Sequence, residues 1–523
     1  MTEYPDSLDG HLARPAQTLG AHLEGVVKNV QHLLPATATT AYGDDWLTIG
    51  SALAWTHDAG KLTEYFADYL DTGDRGVADR PEYTYHGFVS GLLAAHVLYA
   101  LDVSKESRLA GFYAVAKHHS VIPTLPADHD NYTSAAERVT SRYEVVRAQL
   151  QSIDQYADQA ADDLLRIASD DRLCWEDIHA DDPSVYKRLL QPGPEQFDDR
   201  FYETVLRTWS TLVCADKLDA ADIELSPTTH RPPVTRLREH VDSLPDGETD
   251  LLRSLNELRS SAHEEAATTL LREYDQGHRF FRLTLPTGFG KTLTGLRAGL
   301  ELAEQRDGRV IYALPYTSIL DQVDGVCQDS LGVEHTDPEY TIHHHLADTR
   351  TNLSETRIGD NVSDGSESLY AEVWQSGLVL TTFTQLFESL AGPGNTQSMK
   401  LPALQDSVIV LDEPQAISLN WWGLVSRLTQ FVTREYDATV VLMTATQPRI
   451  LEESPETPDP RPLTQQTEAC TTFLMENPRV EFGLHSSLAR HLERRDEDTV
   501  DFETAAQTLL NTTPAGSNTL GIV

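Results

Sequence analysis

The stretch FFRLTLPTGFGKT, Phe280–Thr292, decides the fold of the second half of this chain. Its first residues are typical of a buried strand, and the following LTGLRAGLELAEQ has the apolar spacing of a helix. A strand, a glycine-containing loop and a helix N-terminus form a cradle whose backbone N–H groups and helix dipole attract phosphates. The residues expected to bind ATP in this cradle are Thr287, Gly288, Gly290, Lys291 and Thr292.

Two side chains of this loop have specific expected roles. Lys291 can reach the β- and γ-phosphates, and the Thr292 hydroxyl can bind Mg²⁺. The general phosphate-loop pattern has glycine where Leu285 stands. The sequence therefore fits the helicase variant P-T-G-x-G-K-T better than the general one.

A second motif, SVIVLDEPQ, spans Ser407–Gln415. Four apolar residues predict a buried strand that carries two acids to its carboxyl edge, where open parallel sheets bind ligands. We expect Asp412 to hold Mg²⁺ and Glu413 to orient or deprotonate the attacking water. A chance acidic strand end is improbable because both motifs occur in the right order on the right elements.

Short apolar runs alternate with helical segments through this half: FFRLTL, RVIYALP, LVLTTF, SVIVLD and TVVLMTAT. This alternation predicts βα units and a parallel sheet. ALPYTSILDQ and TTFTQLFESL place small hydroxylated residues at strand ends, where they suit phosphate oxygens of DNA. Ordinary helix capping by the same Thr and Ser residues is an equally good explanation.

The first 220 or so residues of the chain have a helical texture instead. The predicted helices are Trp46–Trp55, His86–Leu101, Ser107–His119 and Phe201–Asp219. The Pro-rich SPTTHRPPVTR, Ser226–Arg236, predicts a linker, and EESPETPDPRP, Glu452–Pro462, predicts a second break. GDNVSDGSES, at 359–368, predicts a solvated loop.

Histidines and aspartates recur along the helical segments. The candidate ligands are His22, His57, Asp58, His86, His118, His119 and Asp216. Any one of these histidines is more often packed or solvated, but helices can bring several together in one metal site. His129 and the run His343–His345 are expected to be solvated, with metal binding as the minor alternative.

This ligand set favours a particular metal chemistry. Imidazoles with carboxylates suit divalent transition metals such as Mn²⁺, Co²⁺ or Ni²⁺ better than Mg²⁺ or Ca²⁺. A carboxylate bridging two metal ions would activate water for attack on a phosphodiester and stabilise the leaving oxygen. The sequence thus predicts two metal sites, with Asp58 as a catalytic residue.

Composition restricts the class of protein. The chain has 523 residues with 40% hydrophobic content, no long apolar run and four dispersed cysteines. These features predict a soluble, cytoplasmic protein of several domains without a membrane segment or a disulfide framework. The net charge of −40 indicates either a basic partner or, since the acids are spread evenly, a surface adapted to concentrated salt. At such salt, nucleic-acid binding would depend on close contacts and stacking.

The order H…HD…H…HH…D, followed by PTGFGKT, DEPQ and TAT, resembles the HD-nuclease/helicases of type I CRISPR interference. The resemblance implies an all-α HD-type metal-dependent nuclease domain followed by an α/β RecA-like parallel-sheet domain. It also implies single-stranded DNA as substrate and a guide-RNA surveillance complex as partner. By the same resemblance, Gln415, Thr444 and Thr446 would couple ATP hydrolysis to DNA movement.

The resulting domain prediction has four parts. They are a nuclease domain at 1–225, a linker at 226–248, RecA-like lobe 1 at 249–450, and a connector with an incomplete lobe 2 at 451–523. Superfamily 2 motors bind ATP between two lobes, and lobe 2 supplies arginine fingers. Fewer than 80 residues follow Thr446, without a Q-x-x-G-R-x-x-R element. The motor is therefore expected to look truncated, with lobe 2 supplied by a separate polypeptide or lost through gene disruption.

Two other function classes stay open on the sequence. One is an HD phosphohydrolase that acts on nucleotides, with a regulatory ATPase lobe. The other is a non-catalytic remnant or adaptor that still binds its complex.

Overall fold

The computed structural model describes residues 4–73, 81–122, 136–178, 197–344, 369, 371–392, 394–445, 458–478, 503 and 507. The chain divides into two compact units, Met1–Cys470 and Thr471–Val523. The helical half and the parallel sheet described below both belong to the first unit. Thr446, His129, His345, the 359–368 stretch and nearly all of 479–523 lie outside the described residues.

The N-terminal half is built from helices. Their bounds are α1 Leu19–Leu33, α2 Trp46–Thr56, α3 Glu64–Thr72, α4 Gly87–Ala100, α5 Lys105–Ala116, α6 Ala136–Tyr156, α7 Asp158–Ala168 and α8 Asp199–Ala220. A two-stranded antiparallel ribbon, β1 Leu12–Arg14 and β2 Gln17–Thr18, precedes α1. The prediction of an all-helical domain did not include this ribbon.

Local sequence explains where several of these helices begin. The side chains of Thr18, Asp45, Ser104 and Asp198 accept hydrogen bonds from backbone N–H groups in the first turns of α1, α2, α5 and α8. Each of these caps satisfies one of the donors that a helix N-terminus leaves unpaired. The four predicted helices agree with α2, α4, α5 and α8 to within a few residues.

The second half contains a seven-stranded sheet in which every strand pair is parallel. The strands are β3 Phe280–Thr284, β4 Val310–Leu314, β5 Tyr340–His343, β6 Leu378–Thr382, β7 Val408–Asp412, β8 Thr439–Thr444 and β9 Arg461–Pro462, in the order β5-β6-β4-β7-β8-β3-β9. The helices are α9 Val234–Ser243, α10 Asp250–Asp275, α11 Lys291–Arg306, α12 Thr317–Leu331, α13 Phe383–Ala391, α14 Asn395–Ser398, α15 Trp422–Glu435 and α16 Thr467–Glu476. Both candidate nucleotide-binding motifs follow the carboxyl ends of strands at one edge of this sheet, as predicted.

The five predicted strands are present, and two edge strands, β5 and β9, are additional. The prediction that His343 is solvated was wrong. His343 ends β5 with only 4% of its surface exposed, and its Nδ1 accepts a hydrogen bond of 2.8 Å from Trp374 Nε1. The partner lies 31 residues further along the chain, so the pattern of neighbouring residues did not reveal the burial.

The segment predicted as a linker is packed against the sheet half. Gly377 N donates to His230 O at 2.7 Å, and Arg231 Nη1 contacts Asp307 Oδ1 at 2.8 Å. Helix α9 begins at Val234 within the same segment and packs on α11 and α12.

The hydroxyl-rich strand end of β6 serves a helix cap. Thr382 Oγ1 accepts a hydrogen bond from Gln385 N at 3.2 Å and starts α13. For Thr382, the capping interpretation of TTFTQLFESL is therefore the one that the structure shows.

The two halves meet along α8, which packs on α14, on α15 and on the short 3-10 helix Leu401–Leu404. At this boundary the Arg207 guanidinium lies 4.8 Å from the ring centroids of both Trp46 and Tyr436. Its Nη2 donates to Gln405 Oε1 at 3.0 Å. Trp46 belongs to the helical half, whereas Tyr436 and Gln405 belong to the sheet half, so one buried cation joins both.

Replacing Arg207 with alanine is expected to lower the melting temperature by several degrees. The substitution removes cation–π contacts with two rings and leaves a cavity. Together these losses lower the free energy of unfolding by about 2–4 kcal/mol. Differential scanning calorimetry measures the shift. The matched control is Arg427→Ala, because that side chain is 73% exposed. Equal melting temperatures for the two variants would contradict the role of Arg207.

Candidate metal centre and nucleotide site

The structure brings all seven predicted ligands into one cluster of the helical half. His22 lies within α1, His57 ends α2 and is followed by Asp58, and His86 precedes α4. His118 and His119 follow the end of α5, and Asp216 lies near the end of α8.

The Asp58 carboxylate lies at the centre of this cluster and is 1% exposed. Its Oδ1 is 3.0 Å from His86 Nε2 and 3.5 Å from His118 Nε2. Its Oδ2 is 3.2 Å from His22 Nε2 and 3.6 Å from His57 Nε2. The two oxygens of one carboxylate therefore face two different pairs of imidazoles, which is the arrangement of a bridging ligand.

The two remaining residues extend these pairs. His119 Nε2 is 3.1 Å from His86 Nε2, and Asp216 Oδ1 is 3.5 Å from His22 Nε2. Two potential metal-binding groups share Asp58, and within each group the ligand atoms lie within 4.8 Å of one another. The groups are Asp58, His86, His118 and His119, and His22, His57 and Asp58. His119 is the exposed member.

Backbone carbonyls orient two of the imidazoles. His57 Nδ1 contacts Ala54 O at 2.8 Å, and His118 Nδ1 contacts Val115 O at 2.6 Å. A carbonyl can only accept, so Nδ1 carries the proton in both rings and Nε2 presents its lone pair to the cluster. A second hydrogen bond of this kind is what fixes histidine ligands in metal sites.

Several atoms of the cluster are buried without a hydrogen-bond partner among the described residues. They are Nε2 of His22, His57 and His118 and Oδ1 of Asp58. Buried polar atoms normally have partners, and unpaired ones that converge on one point are typical of a metal-binding site. Imidazole nitrogens with a carboxylate oxygen fit a divalent transition metal.

The charge states of Asp58 and His57 also suit metal binding. Burial alone would raise the pKa of Asp58, but Lys61, whose Nζ lies 2.6 Å from Oδ2, and the nearby imidazoles lower it well below its usual value. Burial lowers the pKa of His57 to about 4, so that its imidazole stays neutral. An ionised carboxylate beside a neutral imidazole is the form in which both bind metals.

Sequence analysis missed two residues of the cluster, Lys61 and Asp219. Asp219 Oδ2 lies 2.6 Å from His22 Nδ1 and is itself held by Arg14 Nη2 at 3.3 Å and Gln17 Nε2 at 3.2 Å. Burial disfavours a charged His22, yet the hydrogen bond to Asp219 and the other nearby carboxylates raise its pKa to about 9. Asp219 lies one helical turn beyond Asp216, and that spacing was the available signal.

Replacing Asp219 with asparagine is expected to weaken metal binding by roughly 10–100-fold, because such partners orient and polarise a histidine ligand. Calorimetric titration with Co²⁺ measures the change. Asp222→Asn is the matched control: Asp222 is exposed beyond the end of α8 and has a φ of 55°, which asparagine tolerates. Unchanged Co²⁺ affinity in Asp219→Asn would refute this role.

The phosphate loop follows β3 at the sheet edge. Gly288 and Gly290 have φ values of 86° and 74°, a conformation that side-chain-bearing residues rarely adopt. Arg259, on α10, donates to Gly288 O through Nε at 3.0 Å and Nη2 at 2.6 Å and holds the loop. Thr287 lies in this loop, and Lys291 and Thr292 begin α11.

The acidic motif lies two strands away from the phosphate loop. Tyr312 Oη donates to Asp412 Oδ2 at 2.8 Å, while Asp412 Oδ1 is buried without a partner among the described residues. Burial raises the pKa of Asp412 to about 6. An oxygen ligand such as this one suits Mg²⁺.

Glu413 joins the elements of the candidate nucleotide site. Its carboxylate forms an ion pair with Lys291 Nζ and accepts a hydrogen bond from Gln415 Nε2. Thr444 Oγ1, at the end of β8, donates to Gln415 Oε1 at 2.9 Å. The phosphate loop, the acidic motif and the end of β8 thus contact one another through side chains. Tyr312 and Arg259 were not predicted from the sequence.

In the part of the chain that the structure describes, no helix has the length and apolar character needed to cross a membrane.

The chain is similar in sequence to known proteins. Residues 257–449 match the family model described as type III restriction enzyme, res subunit. The chain is 33% identical, over 88% of its length and 54% of the relative's, to the CRISPR-associated nuclease/helicase Cas3 of Haloferax volcanii. This chain is a Cas3 homologue. It spans about half the length of that Cas3 relative.

Two solved structures are similar to this chain at lower sequence identity. The crystal structure of T. fusca Cas3 with AMPPNP has a TM-score of 0.45 and 16% identity, over 85% of this chain and 51% of that chain. A CRISPR RNA-guided surveillance complex, pre-nicking, has a TM-score of 0.40 and 16% identity, over 84% of this chain and 47% of that chain.

Proposed function

We propose that this chain acts in CRISPR interference as a metal-dependent single-stranded DNA nuclease joined to an ATP-binding helicase lobe. The observation that carries the proposal is the Asp58 carboxylate, whose two oxygens face two separate groups of imidazoles. The nuclease would be an HD-type domain at 1–225, and the RecA-like lobe 1 would span 249–450. The homology to Cas3 supports both assignments.

Two ions of Mn²⁺, Co²⁺ or Ni²⁺ would supply an activated water and stabilise the leaving oxygen of a phosphodiester. The chain's own contribution is to hold His57 and His118 with Nε2 directed inward and to keep Asp58 ionised. Lys61 neutralises part of the Asp58 charge at 2.6 Å. His119, the exposed ligand, marks the side from which DNA would approach.

ATP and Mg²⁺ would bind at the edge of the parallel sheet. Lys291 would bind the β- and γ-phosphates, and Thr292 and Asp412 would hold Mg²⁺. Glu413 would orient or deprotonate the attacking water, and Gln415, Thr444 and Thr446 would couple hydrolysis to DNA movement. We propose that this lobe works with a second RecA-like lobe and with a guide-RNA surveillance complex.

The test is degradation of circular single-stranded DNA by the purified chain in high KCl. Mn²⁺, Co²⁺, Ni²⁺ and Mg²⁺ are added in turn, each with and without ATP. We expect cleavage with a transition metal whether or not ATP is present, since the metal centre lies in the helical half. If the folded protein fails to cut DNA with every one of these metals, the proposal is wrong. Release of phosphate from nucleotides without DNA cleavage would instead identify a phosphohydrolase.

A further inference from the structure

Two side chains bind the backbone immediately after α5, where the metal ligands His118 and His119 lie. Trp209 Nε1, on α8, donates to Lys117 O at 3.1 Å. Asn395 Nδ2 donates to His118 O at 2.9 Å. Lys117 O also accepts a hydrogen bond of 2.8 Å from Ser120 N, so the bond from Trp209 is an additional one. His118 O lies beyond the helix end, where carbonyls lack partners within the helix, and Asn395 supplies its donor. Trp209 belongs to the helical half, whereas Asn395 belongs to the sheet half.

The bond to His118 O acts on both ligands. This carbonyl belongs to the peptide group that joins His118 to His119, and that group is planar. Both Cα atoms lie in this plane, so a hydrogen bond to its oxygen restrains the backbone segment from which both imidazoles project. His118 Nε2 lies 3.5 Å from Asp58 Oδ1, and His119 Nε2 lies 3.1 Å from His86 Nε2. A displacement of this peptide group would therefore move two members of the same metal-binding group.

Among the described residues, the bond to His118 O is the hydrogen bond that the Asn395 carboxamide makes. Its Oδ1 is buried and has no partner among the described residues. Burying a polar oxygen without a partner is unfavourable, so the hydrogen bond of Nδ2 to His118 O is the stabilising interaction at this position.

The chain around Asn395 is anchored to the sheet half and packed on α8. Asn395 begins α14, which packs on α8 together with the 3-10 helix Leu401–Leu404. Gln405 then accepts the hydrogen bond from Arg207, and β7, which ends at Asp412, begins three residues later. The donor to the metal-ligand backbone is thus 17 residues before the proposed Mg²⁺ ligand of the nucleotide site.

We propose that Asn395 is a positioning residue of the nuclease centre: across the boundary between the halves, it holds the His118–His119 peptide in the orientation that metal binding needs. The inference rests on the proposed nuclease function. It assigns the sheet half a direct structural part in the metal centre. It also predicts that only the group of Asp58, His86, His118 and His119 depends on Asn395.

The test measures Co²⁺ binding by the full chain through calorimetry and through the visible absorption spectrum of the bound ion. Asn395→Ala removes the donor, and Asn395→Asp removes it while keeping the side-chain shape. The matched control, Thr396→Ala, changes the next residue of the same helix, which is exposed. We expect both Asn395 variants to bind one of two Co²⁺ ions roughly threefold to tenfold more weakly. We also expect their spectra to change and their melting temperatures to stay close to that of Thr396→Ala.

The outcomes separate this inference from the proposed function. Wild-type protein that binds Co²⁺, with both Asn395 variants matching it in affinity and spectrum, overturns the positioning role alone. Equal weakening of both ions, or the same weakening in Thr396→Ala, also overturns it, because a general loss of stability would act in that way. Wild-type protein that is folded and binds no Co²⁺ refutes the metal centre itself.

Discussion

Asp58→Asn is expected to reduce metal-dependent cleavage of single-stranded DNA by about 1,000-fold or more, which corresponds to about 4 kcal/mol of activation free energy. Asparagine keeps the shape of the side chain but replaces one anionic oxygen with an N–H donor. Asp58 Oδ1 and Oδ2 face different groups of imidazoles, so either orientation of the amide deprives one group of its carboxylate. The measurement is the initial rate on circular DNA, together with the metal content of the purified protein.

The matched control is Asp68→Asn, which makes the same change ten residues further along at an exposed position of α3. This control should cut DNA and bind metal as the wild-type chain does. Binding of a fluorescent ATP analogue should be equal in all three proteins, because the nucleotide site belongs to the other half. An Asp58→Asn protein that keeps two metal ions and its cleavage rate would rule out a bridging role.

Lys291→Ala is expected to weaken ATP binding by about 100-fold, since the ammonium group contributes charge-assisted hydrogen bonds to phosphate oxygens. Lys291 Nζ pairs with the Glu413 carboxylate, so phosphates compete with Glu413 for the same cation. A titration with a fluorescent ATP analogue in the presence of Mg²⁺ measures the loss. Cleavage of single-stranded DNA without ATP should keep its wild-type rate.

Arg272→Ala serves as the control for loss of a positive charge in the sheet half, because its side chain is 59% exposed. Its affinity for the ATP analogue should equal that of the wild-type chain. If Lys291→Ala also slowed cleavage without ATP, the two sites would not be separable and the assignment of Lys291 to ATP alone would be wrong.

The features that sequence predicted best are those encoded within a few consecutive residues. Gly288 and Gly290 fix the backbone of the phosphate loop, and the apolar run before Asp412 fixes a buried strand end. The order of His and Asp residues, read with the family resemblance, predicted a set of ligands that the structure places together. A bridging carboxylate was predicted from chemistry, since its two oxygens can bind two ions, but the structure was needed to identify Asp58 as the residue that both groups share.

The features that sequence did not predict depend on contacts between distant residues. Asp216 and Asp219 lie one turn apart on α8, and only the rotation of that helix decides which of them contacts His22 Nδ1. Tyr312 reaches Asp412 from a neighbouring strand, 100 residues away in sequence. The same holds for His343, whose burial depends on Trp374.

The contacts of Arg207 limit how one half of the chain could be exchanged for that of another protein. Its guanidinium is buried between Trp46 of one half and Tyr436 of the other, with Gln405 as its acceptor. A chimera that joined this helical half to an unrelated ATPase lobe would leave a buried cation without its second ring and its acceptor, which is strongly destabilising. An exchange of either half would therefore require a compensating change at Arg207 or at its partners in the other half.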